Sequence, residues 1–499
     1  MKYVTGYEAA QNTVRVARGE PSLAARTLTL AALSLGYGVV QLDVTIVNTA
    51  LTSIGASLGG GVQELQWVVN AYTIAFAAFI LTSGALGDRL GAKKVFMAGF
   101  ALFTAASAAC ALAPNATTLI GARAVQGLGA AILVPNSLAL LNNAYRNEKA
   151  RGRAVGIWAA GASLALTAGP LAGGALIAVA GWRSIFLVNL PLGAAALWLT
   201  WRFATETARS PSHEFDPFGQ ITAIAALGLL AGALIEGGSL GWTDGCVLAG
   251  FVAAMVMAAL FIVQERRANQ PMLPLVLFTH RMFALTSVVG LLVNVAFYGL
   301  IFVLSLYFQQ INGFSALETG LAFLPMMGAV LPANLLAARI AERCGAPIAV
   351  GAGALITAAG CIGLIGLRPG SSYWAIFIQL VVMGGGLGLL VPPLTSALLG
   401  SVDKAYSAIA AAVLNSARQT GSVLGVALFG SLVAQRESFM SGAHIALVIS
   451  ALLLTGASIL IVAWRHRTVA SNARRETSFI RPATHSIVDG SPRMWAICR

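Results

Sequence analysis

Gly84-Ala85-Leu86-Gly87-Asp88-Arg89-Leu90-Gly91 and, much later in the chain, Ala338-Arg339-Ile340-Ala341-Glu342-Arg343-Cys344-Gly345 set an acid, an arginine and a closing glycine in the same places, 254 positions apart from Asp88 to Glu342. Each stretch separates two apolar runs, 66–87 from 95–113 and 317–338 from 347–367. A second echo pairs Gly127-Leu128-Gly129 and Pro135 with Gly384-Gly385-Gly386 and Pro392. The chain therefore reads as two halves of like orientation. Each short polar stretch is a turn between segments too apolar to face water.

Working outward, further apolar runs of spanning length occur at 28–52, 117–141, 154–179, 184–204, 218–237, 245–264, 283–308, 372–399, 406–434 and 443–464, making fourteen helices in all. A bilayer crossing takes about 20 apolar residues as a helix. The composition agrees: of 499 residues 58% are hydrophobic and 10% charged, with a mean hydropathy of +0.80. A soluble domain carries about 25% charged residues, so a water-soluble enzyme is excluded. A β-barrel is excluded as well, because its strands would alternate apolar and polar residues. Two polar stretches, 205–217 and 265–282, bracket the seventh and eighth runs. The boundaries predicted are an N-terminal segment 1–26, a six-helix bundle 27–204, an extra helix pair with its linkers 205–282, a second six-helix bundle 283–466, and a disordered tail 467–499.

The net charge of +13 is explained by topology. With both termini placed in the cytoplasm, only Arg183, Arg368 and Arg436 fall in outer loops, and Arg123 and Arg418 fall within runs. Every other Lys and Arg is cytoplasmic, the distribution of a multi-pass inner (plasma) membrane protein with an even number of spans. Nucleic acid is thereby excluded as the reason for the charge. Five cysteines in no metal-binding spacing give neither a disulfide framework nor a metal centre. Gly237-Gly238-Ser239-Leu240-Gly241 has the spacing of a nucleophile elbow but ends a membrane helix instead of following a strand. No role is assigned to the five histidines.

Asp43 is the one acid deep inside an apolar run. A carboxylate there costs roughly 2.5–3.5 kcal/mol on insertion scales, so it must face water or a partner, or carry a proton. Held in a low-dielectric site, it is suited to carrying protons. Arg123 enters helix 4 from the outer side and Arg418 enters helix 13 from the inner side, and both need partners that the sequence does not name. Tyr72 and Tyr298 lie deep enough to line a cavity for flat, lipophilic or cationic molecules. Glu236, at the outer end of helix 7, is a second candidate proton site.

Taken together these segments resemble the fourteen-helix drug:proton antiporters of the major facilitator superfamily. The motifs that carry the likeness are Leu42-Asp43-Val44-Thr45-Ile46-Val47-Asn48-Thr49-Ala50-Leu51, with Thr52 where a proline is usual; Gly84 to Lys94; Leu119 to Ala131, with Arg123, Gln126, Gly127 and Gly129; and Gly169-Pro170-Leu171-Ala172-Gly173-Gly174, with Ala165 where a glycine is usual. Trp182-Arg183, Asn189-Leu190-Pro191, Glu236-Gly237-Gly238, Gly241-Trp242, and Asn415 with Arg418, Gln419 and Gly421 complete the set.

The resemblance implies an all-α membrane protein of major facilitator fold, fourteen transmembrane helices arranged as 6+2+6. It implies proton and cargo coupling at Asp43, Arg123 and Glu236, and a cytoplasmic gate at Gly84, Asp88, Arg89 and Gly91 in which Asp88 latches the outward-open state. Gly169, Pro170, Gly173 and Gly174 form an antiporter kink. Asn48, Tyr72, Gln126, Tyr298, Asn415 and Arg418 are candidate cavity-lining residues. Export of small amphipathic drugs, antibiotics or secondary metabolites against protons follows, with an uptake permease of the same fold as the alternative. No cofactor and no metal is expected; the partners are the bilayer, the cargo and protons, with no nucleic acid and no obligate protein partner. One deep acid suggests one proton per cycle, which would exchange with a monovalent cation without net charge movement.

Overall fold

The computed structural model describes residues 22–145, 147–209, 216–268, 271–403 and 406–479. Fourteen long helices run in order: α1 Leu23–Leu58, α2 Val62–Leu90, α3 Ala92–Ala111, α4 Ala116–Ala144, α5 Glu148–Ala180, α6 Ser184–Phe203, α7 Pro217–Leu240, α8 Gly245–Arg267, α9 Arg281–Leu306, α10 Ala316–Cys344, α11 Ala346–Gly363, α12 Tyr373–Leu399, α13 Ser407–Leu432 and α14 Phe439–Phe479. Only helices and closed barrels satisfy their own backbone in lipid, and the described membrane segments are helices. Among the described residues thirteen are apolar and long enough to cross a bilayer; α13 departs because Asn415, Arg418 and Gln419 interrupt it. The helix of α14 runs on to Phe479, past the boundary at 467 expected for a disordered tail. Residues 480–499 and 1–21 lie outside the described residues.

The ends are fixed by side chains that satisfy the first free N–H groups. Asn115 accepts from Thr118 N at 2.8 Å, Asp216 from Gly219 N at 2.9 Å and Asp244 from Cys246 N at 2.8 Å. Ser315 and Glu318 form a reciprocal capping box at the start of α10.

The sequence echoes are structural. Gly91 and Gly345 close α2 and α10 at φ +99° and +89°, a left-handed conformation that favours glycine. Gly127 of α4 lies against the Tyr72 carbonyl of α2, as Gly384 of α12 lies against the Met326 carbonyl of α10. Gly129 packs on Gly99 and Phe103 of α3, as Gly386 packs on Gly353 and Thr357 of α11. Both halves thus use glycine to bring their fourth helix against the second and third.

Helices α1 to α6 pack among themselves, as do α9 to α14, and the two groups meet along α2 with α13 and α5 with α10. Helix α7 lies at the α2–α13 seam, and α8 packs on α7. Leu248, Val252 and Met255 of α8 are exposed, an apolar face suited to lipid. The pair is tied to α2 by Gln220, whose amide donates to Ala78 O at 3.0 Å while its carbonyl accepts from Thr82 at 2.6 Å. At the C-terminal end of α8 a second buried acid, Glu265, accepts from Leu273 N at 2.9 Å.

Contacts between the halves concentrate toward the ends remote from the basic loops. Ser305 of α9 donates to Asn48 O at 2.5 Å, and Gln66 of α2 donates to Val426 O at 3.0 Å and Ala427 O at 2.7 Å of α13. Gly174 of α5 meets Ala316 and Leu317 of α10, and Gly320 meets Pro170. Nearer the basic face, Ala159 and Ala160 of α5 and Leu335 and Leu336 of α10 are exposed. The halves are thus joined at the ends remote from the basic loops, while these positions of α5 and α10 nearer the basic face are exposed.

Candidate functional site

Asp43 and Arg123 are both buried, at 0% and 1% exposure, and form an ion pair of 2.5 Å between Arg123 Nη1 and Asp43 Oδ2. Removing two charges from water costs several kcal/mol per ion unless hydrogen bonds occupy the remaining donors and acceptors. Here they do. Gln126, three residues after Arg123 and so on the same helix face, donates Nε2 to Asp43 Oδ1 at 2.9 Å and accepts from Arg123 Nη1 at 2.7 Å. Arg123 Nε donates to Val68 O at 3.2 Å, and its guanidinium lies 4.2 Å from the Tyr72 ring centre. Ser107 of α3 accepts from Gln126 at 2.9 Å and from Asn189 of α6 at 3.2 Å.

Backbone packing sets this geometry. Gly127 lets α4 approach the Tyr72 carbonyl so closely that Arg123, one turn earlier, reaches Val68, one turn before Tyr72. On the other side of α1, Thr45 donates to Leu166 O at 3.1 Å, and Gly169 and Gly173 of α5 accept the Thr45 and Thr49 side chains into their missing Cβ positions. The helix is continuous through Pro170. The Gly-Pro motif thereby clamps α1 two residues beyond Asp43.

A small cavity between the halves adjoins the pair, with room for on the order of one water molecule. Asn48, Val69, Tyr72 and Arg123 from the first half and Tyr298 and Ser422 from the second line it. Of the residues singled out in the sequence, Asp43, Arg123, Gln126, Asn48, Tyr72 and Tyr298 are brought together. Asn48 and Asn415 turn their amides back onto their own helices, to Val44 O and Ala411 O. Arg418 is half-buried and lies apart from the ion pair. Glu236 stays at the far end of α7, where Ser239 donates to its backbone carbonyl at 3.1 Å, and no described contact joins it to Asp43.

At the gate motif Asp88 and Arg89 are exposed. The glycine that packing requires is Gly87, whose missing side chain makes room for Asn136, and that amide donates to Ser83 O at 3.0 Å. Gly84 is uncrowded, with the Pro135 Cβ 4.0 Å away. The start of α3 is capped by Glu206 from the linker after α6. Its carboxylate accepts from Lys93 N at 2.8 Å and Lys94 N at 3.3 Å, and Lys93 Nζ donates to Ala204 O at 2.8 Å. A carboxylate at a helix start is worth about 0.3–1 kcal/mol from the dipole and about 1 kcal/mol from the cap. Glu206→Ala is expected to lower the melting temperature by a few degrees while cargo affinity stays within about twofold; an unchanged melting curve would dismiss the cap.

A structure with these features is a membrane transporter. The description Major Facilitator Superfamily matches residues 33–426 and again 286–498, and the chain belongs to that family. Among curated relatives, the methylenomycin A resistance protein of Bacillus subtilis (strain 168) is 37% identical over 439 residues, covering 87% of this chain and 93% of that protein. The multidrug resistance protein Stp of Mycobacterium tuberculosis (strain CDC 1551 / Oshkosh) is 38% identical over 407 residues, covering 82% and 76%. Among solved structures, a bacterial homologue of the human lysosomal transporter Spinster, inward-facing and unoccupied, superposes with a TM-score of 0.64 at 17% identity over 88% of this chain and 97% of that one; this likeness concerns the fold.

Proposed function

We propose that the chain exports small amphipathic molecules, of the drug, antibiotic or secondary-metabolite class, in exchange for protons. The observation that carries this reading is the buried Asp43–Arg123–Gln126 cluster at the edge of a cavity between two pseudo-repeated halves. Resistance and multidrug relatives at 37% and 38% identity supply the direction. In this reading α1 to α6 and α9 to α14 are the two moving bundles and α7 with α8 is the extra pair, giving 6+2+6. The basic face is cytoplasmic in the plasma membrane, and the hydrogen bonds from Ser305 and Gln66 between the halves lie toward the outer side.

Protonation of Asp43 removes the charge that Arg123 pairs with, while Val68 O, Gln126 Oε1 and the Tyr72 ring keep the guanidinium in place. A cluster with two stable arrangements can bias the bundles toward different states, and alternating access requires such a difference. Gly169 to Gly174 hold α5 against α1 and α10 and so keep the outer path shut; Asp88 and Arg89 act when the inner side closes. The drive is the proton gradient, with no cofactor and no protein partner needed. Glu236, at the far end of α7, is a second proton site in this reading only if more than one proton moves per cycle.

The test uses proteoliposomes with an imposed pH gradient and a panel of lipophilic cations, neutral antibiotics and lipophilic carboxylates. Accumulation of a panel member opposite to the direction of proton flow, collapsing with nigericin, is the expected result. Accumulation only in the direction of proton flow would mean an uptake permease.

A further inference from the structure

Both described side-chain partners of Asp43 are donors. Arg123 Nη1 donates to Oδ2 and Gln126 Nε2 to Oδ1. Such a setting suits a carboxylate, which only accepts. A neutral carboxyl must also place an O–H on an acceptor, and Gln126 carries one, Oε1, on the same amide as the N–H that Asp43 uses. Half a turn of that amide would bring its oxygen to Asp43 and let the protonated group stay in place. What a proton does to the cluster therefore depends on whether Gln126 can turn.

Two buried residues behind Gln126 prevent the turn. The amide has two N–H bonds, and the one not given to Asp43 goes to Ser107 Oγ at 2.9 Å. The single proton of Ser107 goes to Phe103 O, one turn back in α3, at 2.8 Å, the local bond of a serine within a helix. Toward Gln126 the hydroxyl is thus an acceptor, and a turned amide would set oxygen against oxygen. Asn189 of α6 also donates to Ser107 Oγ, through Nδ2 at 3.2 Å, while its own Oδ1 has no hydrogen-bond partner. A buried acceptor without a donor is costly, yet the reverse orientation would put that oxygen on the oxygen of Ser107.

We propose that Ser107 and Asn189 are positioning residues of the proton cycle: they hold Gln126 as a fixed donor, so the cluster accepts Asp43 only as a carboxylate, and protonation drives the Asp43 side chain out of it. The movement of α1 away from α4 then turns proton uptake into movement between the bundles. This inference rests on the export reading, which makes Asp43 the proton carrier. The bond formed is the carboxyl O–H, with the proton taken from water. Without Ser107 the amide turns, Oε1 accepts the O–H on Asp43 Oδ1, Arg123 keeps Oδ2, and the proton is taken up without movement. Around Asp43 stand Arg123 of α4, Tyr72 of α2 against the guanidinium, Cys110 of α3 at 3.6 Å from Gln126 Oε1, and Tyr298 of α9 across the cavity. Helix α5 meets this part of α1 at Leu166 O and Gly169. Phenol, thiol and guanidinium groups ordinarily titrate above about 8, so a response on the acid side belongs to the carboxyl.

The test follows the distance between the halves in the full chain in nanodiscs, with protons as the only ligand added. Spin labels carried on p-acetylphenylalanine at Ala56 of α1 and Gly366 of the second half, both exposed, are read by pulsed EPR. The wild-type distance distribution is expected to shift between alkaline and acid buffer, and Asp43→Asn should remove the shift. Ser107→Ala should cut the population that moves by about half or more, Asn189→Leu should cut it in the same direction, and Ser107→Thr, which keeps the hydroxyl, should restore it. A purely structural role would lower the melting temperature and leave the pH response whole. A full response in Ser107→Ala or in Asn189→Leu, a Ser107→Thr protein as impaired as Ser107→Ala, or a wild type whose halves ignore pH would overturn the proposal. Asn189→Leu decides alone if Ser107→Ala fails to fold. Failure of the export reading is seen separately, in the gradient assay with cargo.

Discussion

Asp43→Asn is expected to abolish coupling between cargo and protons. A one-unit pH gradient is worth about 1.4 kcal/mol per proton. With one proton per cycle and no membrane potential, it sustains about a tenfold concentration ratio of cargo; the variant should bring that ratio to about one. It should also be less stable, because Arg123 is buried and loses its countercharge. Removing one partner of a buried pair costs about 3–5 kcal/mol, whereas removing both is often neutral. Asp43→Asn with Arg123→Gln is therefore expected to recover most of the lost thermal stability and none of the coupling. Stability and accumulation measured together separate the two roles, since a purely structural pair would let the double variant transport.

Gly127→Val should affect folding and transport together. Its Cβ would be driven into the Tyr72 backbone carbonyl, which no rotamer change relieves. Overpacking of this kind costs about 1–3 kcal/mol and occasionally more. Moving α4 away also withdraws Arg123 from Val68 O and from Asp43. Gly384→Val should destabilise to a similar extent through the Met326 carbonyl, with no ion pair nearby among the described residues to disturb. Gly121→Ala, where open space surrounds the Cβ position, should leave melting temperature and transport unchanged. Equal melting curves for Gly127→Val and Gly121→Ala would contradict the packing account.

These effects differ between halves because the duplication preserved the scaffold and not the chemistry. The position matching Arg123 by the offset of the glycines is Leu380, and that matching Gln126 is Met383, both buried. The helices, the repeat and the burial of Asp43 are legible in the sequence because a bilayer imposes length and apolarity and makes a deep acid conspicuous. The partner of Arg123 was not, since it depends on which helices adjoin, and sequence spacing between α1 and α4 carries no such information. Gln126 could be grouped with Arg123 from its three-residue offset, but its bond to Asp43 required the packed bundle.

Ser107 gave no signal at all, being one small polar residue in an apolar run. Glu206 was hidden in a linker whose fold-back onto α3 no periodicity encodes. Gly87 and Gly84 read alike in the sequence, and only the packing of Asn136 distinguishes them. Glu236 is conspicuous in the sequence as an acid at the end of an apolar run, yet the more buried acid of the extra pair is Glu265, enclosed by the chain that follows α8.

The most direct test of the central claim is proton movement itself. Liposomes holding a pH-sensitive dye and the purified chain would receive the panel member best accumulated in the gradient assay. The account predicts a cargo-dependent pH change with the wild-type protein and none with Asp43→Asn or with its double variant. A pH change of wild-type size in Asp43→Asn would contradict it.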